Sequence, residues 1–123
     1  MKKITFALLI FCAFACNSPD CIKLKSSKET ELQNGDLVCI NGEEYSFFAT
    51  DDRCPCSISC FWQGEFIFDF ENSEGVNIYT HHQFLTERNE IPPFADSFEL
   101  ISNHGACQDQ TDINDIIFSV RID

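Results

Sequence analysis

From Asp36 onward the chain alternates apolar and polar residues with a period of two, the pattern of strands that set one face against a core. The clearest run is Phe61 to Glu71. Trp62, Gly64, Phe66, Phe68 and Phe70 fall on one face and Gln63, Glu65, Asp69 and Glu71 on the other, whereas a helix would scatter the three phenylalanines. Asp36 to Ile40 and Glu44 to Thr50 flank Asn41-Gly42, a pair that accepts positive φ at both positions and so predicts a tight hairpin. On its second arm Tyr45, Phe47 and Ala49 share a face. Asn72 to Gly75 reads as a turn into a returning strand, Val76 to Thr80, with Val76 and Ile78 inward. His81 to Pro93 has no period, and Pro92-Pro93 excludes regular pairing, so a loop with one helical turn is expected there. Ser97 to Ser102 is a strand with Phe98 and Leu100 on one face. Asn103 to Asp115 is a long polar loop, and Ile116 to Ile122 closes the domain with Ile116, Phe118, Val120 and Ile122 inward. Six or seven short strands and no amphipathic helix predict an all-β domain over residues 31–123, an antiparallel β-sandwich or a partly open barrel.

The N-terminal pattern is of another kind. Lys2 and Lys3 precede an apolar run from Ile4 to Phe14, too short for a finished transmembrane helix, and the start reads as a signal peptide over residues 1–15. Ala13-Phe14-Ala15-Cys16 has the form of a loose bacterial lipobox, which would make Cys16 the lipidated first residue of the mature chain. Phe14 departs from that form, where a small residue is usual, and ordinary secretion with Cys16 as a spare thiol is the competing reading. Residues 16–30, rich in Ser, Lys and Asn, read as the lipidated N-terminus and a linker, with a short edge strand possible at Ile22 to Lys25. The expected location is the bacterial cell envelope, lipid-anchored at the outer membrane, with the membrane as a partner through the N-terminal lipid.

Charge narrows the partners. Without residues 1–15 the chain keeps six basic against twenty acidic side chains, a net charge of −14. Nucleic acid is excluded as a partner, since its phosphates require a basic face. An electrostatic grip on anionic lipid is excluded for the same reason, so anchoring falls to acylation. Single and paired acids spread along the chain read as a solvated surface.

Once Cys12 leaves with the signal and Cys16 is lipidated, Cys21, Cys39, Cys54, Cys56, Cys60 and Cys107 remain. Six cysteines in a small exported domain point to disulfides, with fifteen possible connectivities. Three of them crowd into Cys54-Pro55-Cys56-Ser57-Ile58-Ser59-Cys60, which admits two readings. One is a soft-metal or thiol-redox site built from Cys54, Cys56 and Cys60. The other pairs Cys56 with a distant cysteine, Cys107 foremost, and Cys21 with Cys39.

Asp51, Arg53, Cys54, Pro55, Cys60, Trp62, Gly64 and Glu65 together resemble a motif of small, uncharacterised bacterial secreted proteins and lipoproteins, Asp-x-Arg-Cys-Pro, four residues, Cys-x-Trp-x-Gly-Glu. Phe98 to Ile101 and Ile117 to Val120 are similar to the last two strands of those proteins. The resemblance implies a β-sandwich in which Cys54 and Cys60 are bridged, Trp62 is a core anchor beside the bridge, and Gly64 leaves room for a large neighbour. Cys56 has no counterpart in the motif. Arg53, beside Asp51 and Asp52, is expected in a turn-stabilising ion pair.

Other candidate chemistry is sparse. His81 and His82 are adjacent and would point to opposite faces of a strand, and His104 is remote, so all three read as exposed loop histidines. Asp109, Asp112 and Asp115 do not follow calcium-loop spacing. No nucleophile elbow, zinc-protease helix or phosphate loop is present. The expectation is a non-enzymatic binding or accessory module with an unknown protein or ligand partner and no cofactor. The alternatives are the metal or redox protein of the cysteine cluster, and a protease inhibitor presenting the loop from His81 to Phe94.

Overall fold

The computed structural model describes residues 21–61 and 64–123. The expected signal segment, Cys16 and the Trp62 anchor lie outside these residues. Among the described residues there are eight strands and no α-helix: β1 (Ile22–Lys23), β2 (Thr30–Leu32), β3 (Leu37–Ile40), β4 (Glu43–Asp51), β5 (Phe66–Glu71), β6 (Asn77–His82), β7 (Phe98–Leu100) and β8 (Phe118–Ile122). They form two sheets, a five-stranded one in the order β1-β3-β4-β5-β6 and a three-stranded one in the order β2-β8-β7. Every pair is antiparallel except β1 with β3, which is parallel.

Alternation along the strands builds the core. Phe47, Phe66, Phe68 and Phe70 of the large sheet are fully buried and meet Leu32, Phe118 and Val120 of the small one. Phe118 sits edge-on to Phe66 and Phe68, with ring centroids 5.0 and 4.9 Å away, and Phe98 approaches Phe70 at 5.4 Å. Each fully buried phenylalanine contributes about 2–3 kcal/mol of burial free energy. These contacts hold the sheets together as a sandwich.

The β3–β4 hairpin turns at Asn41 and Gly42, with φ of 53° and 81°, as Asn-Gly requires. Elsewhere the expected elements shift. β5 starts at Phe66 rather than at Phe61, which is fully exposed. Its ladder with β4 ends at the bond from Asp52 N to Glu65 O, where Gly64 lies directly against the backbone of Asp52 and Arg53. A side chain at Gly64 would overlap the Asp52 carbonyl and the Arg53 Cα, so the glycine admits backbone and not the large side chain expected of it.

β6 reverses its expected face. A bulge at Phe70 and Glu71 sets Tyr79 opposite Phe70 and Asn77 opposite Glu71, so Tyr79 and His81 are buried while Val76 is more than half exposed. Val76 belongs to the turn, where the Asn72 carboxamide oxygen accepts from the Val76 and Glu74 N–H groups. The free edge of β6 is closed at His82 by Asn89, whose side chain accepts from His82 N at 2.6 Å and donates to His82 O at 2.9 Å.

The segment expected as linker also contributes to the domain. Leu24 is buried, Leu24 N bonds to Cys39 O, and Ser27 N bonds to Ile122 O. β1 falls within the edge strand expected at Ile22 to Lys25, whereas β2, three residues long, is too short to show a period and raises the strand number above expectation.

Candidate functional site

The cysteine-rich loop is zipped to the loop before β8. Cys56 N donates to Gln108 O and Gln108 N to Cys54 O, each at 2.9 Å, and Cys56 is bridged to Cys107. Cys54 is bridged to Cys60, and Cys21 to Cys39. Cys56 therefore belongs to a long-range staple, and the thiols of the three-cysteine cluster are consumed in disulfides. Among the described residues, no three His, Cys, Asp or Glu side chains lie close enough to hold a metal ion. Asp109 and Asp112 instead accept from the backbone N–H groups of Thr111 and Asn114. Three disulfides mark an extracytoplasmic protein.

Arg53 lies inside this double loop, 4% exposed. Its Nε and Nη2 donate to the two Asp51 carboxylate oxygens, both at 2.8 Å, and Nη1 donates to His104 O at 2.7 Å. The guanidinium also covers the Phe66 ring, 4.2 Å from its centroid. Two carboxylate bonds, a carbonyl and an aromatic face compensate the buried charge, so Arg53 is a strut between the loops. Asp52 is exposed and takes no part in this pairing.

The histidines are not exposed loop residues. His81 is buried in β6, with Nδ1 3.0 Å from the Tyr79 hydroxyl and its ring 4.8 Å from Phe98. Burial, aided by neighbouring His82 and opposed by Glu65, lowers its pKa to about 4, and burial raises Tyr79 to about 12. Both are neutral at pH 7. His104 is half-buried against Phe66 and Phe118, with Nε2 2.6 Å from Ser102 Oγ. Burial and the Arg53 charge lower its pKa.

Glu65, which carried no expected role, is buried beneath the chain that leaves β6. Its Oε1 accepts from Phe84 N and Leu85 N, and its Oε2 lies 3.2 Å from His82 Nδ1. Burial opposes its ionisation, but the Phe84 and Leu85 N–H groups and His82 outweigh burial and hold its pKa below the usual value. Farther along that loop, Phe94 packs into the core against Tyr45, Phe70 and Tyr79. The segment from His81 to Phe94 is therefore anchored at both ends.

Two clefts on the described residues are roomy enough for a small ligand. One of about 780 Å³ lies beside Cys21, where the described chain begins, with Lys23 and Lys25 balanced by Asp96 and Asp123. The other, about 630 Å³, runs between the His81 end of β6 and the segment from Phe98 to Ala106. His81, read from the sequence as an exposed loop residue, lines this second cleft because a bulge reverses the face of β6, and Phe84, to which no role was given, joins it from the segment after the strand. Tyr79 and His81 two apart is the one signal of that reversal in the sequence. No known protein-family model matches the chain, and no curated protein or solved structure is significantly similar to it.

Proposed function

We propose that the chain is a lipoprotein of the bacterial envelope, anchored through acylated Cys16, that serves as a non-catalytic binding or accessory module. The observation that carries this reading is the complete pairing of the six remaining cysteines, a state that suits an oxidising compartment. The lipobox-like Ala13 to Cys16 supplies the anchor, and the five residues from Cys16 to Cys21 give a tether of at most about 17 Å. The net charge of −14 that remains without residues 1–15 leaves acylation as the means of attachment.

A non-catalytic role is supported by the state of the nearest nucleophile and base. Ser102 Oγ reaches His104 Nε2, but it also accepts from Ser119 N at 3.0 Å and so prolongs the β7–β8 ladder. Among the described residues no carboxylate bonds to His104 to orient it as a base. Labelling of bacterial cells with a radioactive fatty acid tests the anchor. The wild-type protein should carry label and sediment with the envelope, and Cys16→Ser should do neither; unlabelled, soluble wild-type protein would overturn the reading.

A further inference from the structure

The cleft of about 630 Å³ beside His81 joins apolar walls to polar groups that lack partners. Phe98, buried, and Phe84, 42% exposed, both line it. Two amide donors and one imidazole nitrogen are open in the lining because the atoms beside them are already bonded. Gln83 Oε1 accepts from Phe66 N, which leaves its amide N–H groups. Asn103 Oδ1 accepts from Gly105 N, which leaves its own. His81 Nδ1 and the Tyr79 hydroxyl bond to each other, which leaves Nε2 of a ring 9% exposed with no partner among the described residues. Ser102 and Thr86 add hydroxyls to the lining.

Charge decides what class of molecule fits. Among the described residues no lysine or arginine lines the cleft, and the protein around it is strongly acidic, so an anion is disfavoured. Glu99, the carboxylate among the described lining residues, is bonded to Arg121 at 2.8 Å and makes no demand for a cation. His81 stays uncharged at neutral pH. An uncharged ligand with many oxygen acceptors and an apolar face matches these walls, and a sugar ring has both. An added peptide strand fits less well, since β7, the edge strand of the small sheet that lines this cleft, is only three residues long.

We propose that this cleft binds a segment of uncharged saccharide, laid flat on Phe84 with its hydroxyls on His81, Gln83 and Asn103, an inference that rests on reading the chain as a binding module. The full mature protein in detergent is to be tested against an array of uncharged, uronate-containing and amino-sugar oligosaccharides and a set of extended peptides. Titration with the strongest ligand follows. Binding of an uncharged oligosaccharide is expected, weakened about tenfold by Phe84→Ala. Phe48→Ala removes an exposed ring from the face of β4 away from the core and should leave affinity unchanged. Equal melting temperatures would show that both variants fold. Absence of binding to any uncharged oligosaccharide, or equal affinity in Phe84→Ala, overturns the proposal. Tight binding of a peptide or charged sugar that ignores Phe84→Ala overturns this assignment while leaving the module reading intact, and the acylation experiment judges the anchor independently.

Discussion

His81 is a polar residue held in an aromatic setting, and its position makes stability depend on acid. In the folded chain its pKa lies near 4, below the ordinary 6.5, so between these values the unfolded chain binds a proton that the folded one refuses. Stability conferred by the neutral ring is complete above pH 6.5 and is lost as pH falls towards 4, by up to about 3 kcal/mol. His104 acts in the same direction. Glu65, with its lowered pKa, adds a further loss below the ordinary carboxylate range. Urea midpoints measured from pH 7.5 to 4 should therefore decline for the wild type and decline less for His81→Gln, which still offers Tyr79 an acceptor. Parallel curves for the two proteins would show that His81 does not set the dependence.

The same glycine-to-alanine change should have different costs in different elements. At Gly42, in the β3–β4 turn, nothing lies within 4 Å of a new methyl group and only the positive φ resists it, at about 1 kcal/mol. At Gly64, between the cysteine loop and β5, the methyl would occupy the position of the Asp52 and Arg53 backbone. The loops must part to admit it, at about 3 kcal/mol or more. Chemical denaturation of Gly42→Ala and Gly64→Ala checks the order, and equal losses would contradict it. The contrast also marks what a sequence discloses. Asn41-Gly42 is a local signal, and so is the alternation of Phe66, Phe68 and Phe70, because each depends on neighbours in the chain. The approach of Gly64 to Asp52, the bulge that turns Tyr79 and His81 inward, and the cleft beside Phe84 depend on contacts between distant segments. Period-two reading therefore finds β5 and β8 but extends β5 to Phe61 and puts Val76 inside.

Across the whole molecule, the disulfides differ in how much chain they restrain. Cys54–Cys60 spans six residues, Cys21–Cys39 eighteen and Cys56–Cys107 fifty-one. In the chain-entropy account these spans are worth about 2, 3 and 4 kcal/mol. Replacing both Cys56 and Cys107 with alanine should lower the unfolding midpoint most, and replacing both Cys54 and Cys60 least; a reversed order would mean that native contacts outweigh loop length. The short bridge shapes the loop locally, while the long one joins it to the loop that leads into β8, the central strand of the small sheet. A different safeguard operates at the rim of β6, where the Asn89 carboxamide occupies both backbone groups of His82 as a neighbouring strand would. An open strand edge presents unpaired backbone groups on which copies of the same chain can add. By spending one side chain as a counterfeit strand, the fold shortens the length of edge on which a fibre could begin.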